Sequence, residues 1–200
     1  CYDYVIYGGH MSIDYAILGL LSWRELSGYD LKKIFEESVA LYWTGNNNEI
    51  YRALVDLRER GLVSVEVQPQ EKLPARKVYA VTAEGRAELA AWTASAPQLP
   101  QRRHALLIQL AWADALPAQA LDDLLAEYED EVQTQAVIAR AQLQPAAAGA
   151  RARFLDPAGA RTPREAALWR AVLENWAAFY GSELAWVRAL RVELSTAHGS

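Results

Sequence analysis

The polar side chains at the start of one predicted helix have the clearest chemistry in this sequence. Asn47, Asn48 and Glu49 follow one another there, and Tyr51 and Arg52 come within the next turn. An asparagine amide pairs with the edge of adenine and a glutamate accepts a hydrogen bond from cytosine, whereas tyrosine and arginine bond phosphate oxygens. We therefore expect this segment to read bases in a DNA groove, with an ordinary helix start as the alternative.

Basic residues form a second candidate set. Lys72, Arg76 and Lys77 lie in and after a polar connection between two predicted strands, and Tyr29 opens another predicted helix. These groups suit contacts with phosphate. The alternative for the basic residues is that they only keep the segment soluble, and the alternative for Tyr29 and Tyr51 is that they are core aromatics with hydroxyls at the surface. Residues 50–82 hold six basic and four acidic side chains, a net charge of +2, whereas the whole chain carries −5. The basic bias that DNA binding favours is therefore local and modest.

Other kinds of chemistry find no support in the sequence. Cys1 is the only cysteine, so one chain forms neither a disulfide nor a thiolate zinc site. His10 and His198 lie near the ends, which leaves His104 isolated, and no nucleophile–base pair, phosphate loop or cofactor fingerprint is present. The sequence predicts a protein that is not an enzyme and holds no cofactor or metal.

The sequence also carries expectations about location. No apolar run approaches the roughly 20 residues that span a bilayer, and no signal peptide is recognisable. With its single cysteine the chain suits a reducing compartment, so a cytoplasmic protein without a membrane partner is expected. Residues 1–10 precede the only methionine, Met11, and read as a cloning-derived or disordered leader.

Three predicted helices would position the candidate side chains. Apolar residues recur at helical spacing over residues 14–23. Ser27 with Asp30 has the pattern of a capping box and starts a second helix, which is expected to end near position 40. Asn46, followed by an acidic residue three positions on, starts a third helix after a short turn, and Gly61 ends that helix in a left-handed conformation. The apolar stripe of the third helix comprises Ile50, Ala53, Leu54 and Leu57.

A hairpin and a fourth helix follow. Residues 62–67 and 77–81 alternate as strands do, and the connection over 68–76 suits a projecting wing. Thr82 caps a fourth helix with an acidic first turn, which Gly85 is expected to weaken. Three helices followed by a two-stranded hairpin is the order of a winged helix-turn-helix, whose third helix enters the major groove.

Four sequence blocks in this half resemble the PadR family of transcriptional regulators. They are AILGLL at residues 16–21, SGYDL at 27–31, IYRAL at 50–54 and RGLV at 60–63, and KVY at 77–79 followed by Thr82 and Gly85 also fits. The resemblance implies a DNA-binding regulator whose helical C-terminal part dimerises. Many members of that family have proline where this chain has Arg52, so this chain departs from the pattern with a basic group that leaves helix geometry intact.

The second half of the chain is predicted to be helical. Helices are expected over residues 102–115, 117–143 and 162–194, and an alanine-, glycine- and proline-rich loop over 144–161. The last helix is apolar on more than one face, and a second copy of the chain is the simplest cover for one of them. Six aromatic side chains are candidates for an effector pocket or for a core and dimer interface. They are Trp112, Trp169, Trp176, Phe179, Tyr180 and Trp186.

These features combine into one fold and two functional hypotheses. The fold class is mostly α with a small β-hairpin wing: a leader at 1–10, a winged helix-turn-helix domain at 11–96, and a helical dimerisation domain at 97–200 with a loop near 144–161. The first hypothesis is a repressor-type regulator that binds an inverted-repeat operator in double-stranded DNA as a homodimer, with a small aromatic molecule as a candidate effector. The alternative is a helical protein-interaction module without specific DNA binding, which the acidic net charge favours.

Overall fold

A computed structural model describes residues 10–37, 47–69, 75–97, 104–144 and 156–197. The chain divides into two compact units, residues 1–98 (unit 1) and residues 99–200 (unit 2). The described residues are mostly helical with one small antiparallel sheet, which confirms the predicted fold class.

The elements of unit 1 follow the predicted order of three helices, a hairpin and a fourth helix. They are α1 (His10–Trp23), β1 (Leu26–Ser27), α2 (Gly28–Glu37), α3 (Asn47–Glu59), β2 (Val63–Gln68), β3 (Arg76–Val81) and α4 (Ala83–Thr93). Helix α1 begins four residues earlier than its apolar repeat indicated. Residues 1–9 of the expected leader, the Asn46 cap, the turn between α2 and α3, and Lys72 all lie outside the described residues.

The sheet has the order β1–β3–β2, with antiparallel pairing throughout. Strands β2 and β3 form the predicted hairpin, here called the wing, and pair from Val63 with Val81 to Gln68 with Arg76. Strand β1 was not predicted, because two residues are too short to show a period of two. It pairs Leu26 with Tyr79 and so attaches the start of α2 to the wing.

The core of unit 1 is built from the apolar stripes of its helices. Ile50, Ala53, Leu54 and Leu57 are all buried, as predicted for α3. Gly61 has a φ of 72°, the left-handed conformation expected at the end of this helix. The chain turns there, since the amide of Leu62 donates to the carbonyl of Leu57 at 2.8 Å, and enters the wing.

Gly85 is a structural requirement rather than only a weak point in α4. Thr82 caps the helix as predicted, and its Oγ1 accepts from the Gly85 amide at 3.0 Å. A Cβ atom on Gly85 would lie 2.1 Å from the carbonyl oxygen of Leu62 and 2.9 Å from Cγ2 of Val81. Glycine therefore lets the start of α4 lie directly against the wing.

The described residues of unit 2 form three helices and two short 3-10 turns. They are α5 (Ala105–Ala111), the turn Ala113–Ala115, α6 (Ala118–Leu143), the turn Pro157–Gly159 and α7 (Pro163–Ala197). The single helix predicted over 102–115 is interrupted at Trp112, where the apolar repeat of α5 has ended and the backbone leaves the helical region. Pro117 precedes α6 as its cap rather than beginning it, and its carbonyl accepts from the amide of Leu121 at 3.1 Å.

Helices α6 and α7 form the core of unit 2. Leu125, Val132 and Ala136 of α6 and Leu173 and Val187 of α7 are buried. Helix α7 starts at the predicted Thr162 cap, whose Oγ1 accepts from the Glu165 amide at 3.1 Å. Among the described residues, no helix combines the length and the apolar character needed to cross a membrane.

Candidate nucleic-acid interface

One groove in unit 1 collects four of the predicted DNA contacts. Tyr29 and Tyr51 line it beside Arg76 and Lys77, together with the start of α2 and Val55 of α3. Tyr29 is 68% exposed and Tyr51 is 46% exposed. This α2–α3–wing groove therefore presents two phenol groups and two cations at the N-terminus of a helix, a combination that suits phosphate oxygens.

Gly28 determines how closely Tyr51 approaches α2. A Cβ atom on Gly28 would lie 2.7 Å from Cε1 of Tyr51, so the tyrosine ring packs on the bare backbone of the first α2 residue. The glycine in the SGYDL block thereby lets Tyr51 and Tyr29 sit beside each other at the same end of α2.

Asp30 holds the start of α2 through several hydrogen bonds. Its Oδ2 accepts from the Ser27 amide at 2.9 Å and from the Ser27 hydroxyl at 2.6 Å, and the Asp30 amide donates to the Ser27 hydroxyl at 3.2 Å. This is the predicted capping box. The same oxygen also accepts from Nη2 of Arg76 at 2.5 Å, a contact that the sequence analysis did not anticipate. Burial raises the pKa of Asp30, but the hydrogen bonds from Ser27 and the charge of Arg76 outweigh it and hold that pKa below its usual value.

The other side of α3 faces a second cleft. Glu49 and Arg52 line it together with Asp14 of α1 and Asp56, so they lie apart from Tyr51 and the wing. Asn48 is exposed in the first turn of α3, and Asn47 is the first residue of that helix. The exposed start of α3 thus lies between the α2–α3–wing groove and this second cleft. A helix that enters a DNA groove needs such an exposed start.

Arg60 does not belong to the interface, although it contributes to the local basic bias. Its guanidinium lies 3.0 Å from carboxylate oxygens of both Asp14 and Asp56. On α4, Glu88 lies 3.8 Å from the same guanidinium and accepts from the hydroxyl of Tyr15 at 2.9 Å. Arg60 therefore ties α3 to α1 and α4, which a count of charges along the chain could not reveal.

The aromatic candidates of unit 2 lie at separate places. Trp176, Phe179 and Tyr180 contact one another on α7, with ring centroids 5.1–6.0 Å apart. Trp186 lies edge-on to the rings of His104 and Tyr128, at 6.2 and 6.5 Å. Trp169 is partly buried on α7, whereas Trp112 is 81% exposed after α5. Their assignment to an effector pocket or a dimer interface stays a prediction.

His104 is not isolated, contrary to the sequence analysis. Its Nε2 lies 3.1 Å from Oε2 of Glu183 and 3.0 Å from the hydroxyl of Tyr128, which itself donates to Glu183 at 3.1 Å. Burial and the neighbouring Glu183 carboxylate raise the pKa of Tyr128. The three residues come from distant parts of the sequence, so no local spacing signals the cluster. In the described part of the chain, no group of three or more histidine, cysteine or acidic residues is arranged to hold a metal ion.

Comparison with known proteins relates the first half of the chain to transcriptional regulators. Residues 17–91 match the transcriptional regulator PadR-like family. Over 98 residues the chain is 38% identical to the probable transcriptional regulator Rv1176c of Mycobacterium tuberculosis, and over 122 residues it is 30% identical to the negative transcriptional regulator PadR of Bacillus subtilis. These matches take in 48% and 60% of this chain, and the chain spans 52% and 65% of the two relatives.

Solved structures extend the likeness to nearly the whole chain. The crystal structure of Bacillus subtilis PadR in complex with operator DNA has a TM-score of 0.69 at 21% identity, with 92% of this chain and 99% of that chain covered. The same regulator in complex with p-coumaric acid has a TM-score of 0.63 at 22% identity, with 93% and 97% covered. At these identities the likeness shows the fold.

Proposed function

We propose that the chain, whose residues 17–91 match the transcriptional regulator PadR-like family, binds operator DNA with α3 and the wing. The observation that carries the proposal is the α2–α3–wing groove, which gathers Tyr29, Tyr51 and Lys77 beside an exposed helix start. In this proposal the start of α3 enters the major groove with Asn48 at base edges, while the tyrosines and Lys77 contact the flanking phosphates.

We propose further that unit 2 joins two copies of the chain. Its helices leave large apolar side chains in solvent, and burial of such side chains against a second copy would stabilise a dimer. Those at least half exposed are Ile108, Trp112, Val137, Leu168 and Val192. A twofold dimer would cover such surfaces and place two α3 helices about 34 Å apart, one for each half of an inverted repeat. Sedimentation at micromolar concentration should then give the mass of two chains.

We also propose that the chain represses transcription and that a small aromatic molecule is its effector. A relative named as a negative regulator supports repression, and the structure of that same protein with p-coumaric acid supports an aromatic effector. A reporter gene behind the operator should therefore be silenced by the chain and released by hydroxycinnamic acids. Increased reporter output on expression of the chain would instead indicate an activator.

Variants in the groove and at the start of α3 test the DNA-binding assignment. Lys77→Gln should weaken binding to operator and random DNA alike, and lower the dependence of log K on log salt by about 1, because one phosphate contact is lost. Asn48→Ala should weaken operator binding by about 1–3 kcal/mol with little change on random DNA, because a base contact carries the sequence preference. Arg170→Gln, which removes a basic charge from an exposed position on α7, is the matched control. Equal effects of Lys77→Gln and Arg170→Gln would contradict the assignment.

A further inference from the structure

A carboxylate lies in the groove that we propose binds DNA phosphates. Asp30 lines the α2–α3–wing groove with Tyr29 and Lys77, and its side chain retains 19% exposure. A negative charge at this place repels the phosphates of DNA. Its presence therefore points to a role that outweighs the repulsion.

The contacts of Asp30 identify that role. One carboxylate oxygen accepts hydrogen bonds from Ser27, the residue that caps α2, and from Arg76, the first residue of β3. Arg76 lies beside the connection of the wing, where the pairing of β3 with β2 ends at Gln68. Ser27 itself pairs with Val78 of β3 further along the strand. Strand pairing therefore attaches the start of α2 to the middle of β3, and the contact between Asp30 and Arg76 adds a second attachment at the first residue of β3.

We propose that Asp30 is a positioning residue that holds the wing against the start of α2, so that Lys77 and Tyr29 meet the DNA backbone in one fixed arrangement. The inference rests on the proposed DNA binding. It also changes the role expected for Arg76, whose guanidinium acts on the carboxylate of Asp30 and not on a phosphate.

Asp30→Asn separates positioning from charge. The amide oxygen of asparagine still accepts hydrogen bonds from Ser27, while the ionic bond to Arg76 is lost. Positioning predicts that operator binding weakens, by about fivefold for the loss of roughly 1 kcal/mol of ion pairing. Removal of a negative charge alone would strengthen binding. Glu66→Gln, which removes an exposed carboxylate from β2 of the same wing, is the control and should leave affinity unchanged or slightly raised.

Arg76→Gln and the double variant complete the cycle. Both single variants should weaken binding by similar factors, the double variant should be no weaker than either, and Arg76→Gln should leave the salt dependence unchanged. Additive losses, or a salt dependence lowered by about 1 in Arg76→Gln, would overturn the inference and assign Arg76 to a phosphate.

Hydrogen exchange of the free protein tests the same inference without DNA. Amides of residues 76–81 should exchange faster in Asp30→Asn and Arg76→Gln than in the wild type or Glu66→Gln, because the wing has lost an attachment. Unchanged exchange together with unchanged or tighter DNA binding would overturn the positioning role. Absence of DNA binding by the wild type would instead overturn the proposed function, and the exchange result would still decide whether Asp30 orders the wing.

Discussion

Gly85→Ala should destabilise unit 1 severely. The new Cβ would begin 2.1 Å from the Leu62 carbonyl oxygen, where an ordinary contact is at least 3.4 Å. The two segments must therefore separate by about 1 Å, since the obstacle is backbone and cannot rotate away. That separation disrupts the hydrogen bond from the Thr82 amide to the same carbonyl, which is 3.1 Å long, and strains the Thr82 cap.

The magnitude follows from these losses. The loss of two hydrogen bonds destabilises the fold by about 1 kcal/mol each, and the strain adds about 2 kcal/mol. The better helix propensity of alanine offsets about 1 kcal/mol of this. We expect a fall of about 3 kcal/mol in the free energy of unfolding of unit 1. Urea denaturation of the full chain, followed by circular dichroism, measures this quantity.

Gly19→Ala is the matched control for this substitution. It makes the same change inside α1, where no heavy atom of the described residues, apart from the helix's own backbone, lies within 4 Å of the new Cβ. Helix propensity alone then predicts a gain of up to about 1 kcal/mol. Opposite signs for the two substitutions are the expected result. A loss below about 1 kcal/mol for Gly85→Ala, or equal changes at both glycines, would refute the close approach of α4 to the wing.

Two further predictions concern ion pairs. Arg60→Gln should lower the stability of unit 1 by about 1–2 kcal/mol because it leaves the buried Asp14 without this partner. The operator affinity of the folded protein should be unchanged, and a loss of affinity as large as that of Lys77→Gln would contradict the structural role. In unit 2, hydrogen bonds from Arg188 and Arg191 hold the pKa of Glu129 below its usual value. The ionised carboxylate therefore stabilises the folded chain above about pH 4.3, the pKa of an unfolded glutamate. This stabilisation is lost as the pH falls through the lowered pKa. Denaturation between pH 6 and pH 3 should show a smaller loss of stability in Glu129→Gln than in the wild type, and equal losses would refute the ion pairing.

Local signals in the sequence predicted much of unit 1. The capping pattern of Ser27 with Asp30, the buried stripe of α3 and the left-handed Gly61 each depend on neighbours within a few residues, and all three are present. Thr82 likewise starts α4 as its sequence context indicated. Where a short stretch fixes the backbone, residue types and spacing are sufficient.

Residue types and spacing could not predict contacts between distant segments. Arg76 meets Asp30 across 46 residues, and Glu183 meets His104 across 79. Gly85 looked like a weak helix residue because its neighbour Leu62 lies in a distant segment, between α3 and β2. The candidate site was therefore predicted as a set of side chains, while the division between the α2–α3–wing groove and the cleft beside α1 needed the three-dimensional arrangement.

Binding of the full chain to its own upstream DNA and to random DNA across a salt series decides whether the chain is a sequence-specific DNA-binding regulator. If α3 and the wing bind DNA as proposed, we expect a saturable complex of two chains per site that prefers the upstream DNA and weakens steeply as salt rises, because phosphate contacts release counterions. Binding that is absent, or that shows neither sequence preference nor salt dependence, would contradict it. Capture of a protein partner that survives nuclease treatment, together with that absence, would favour the interaction module.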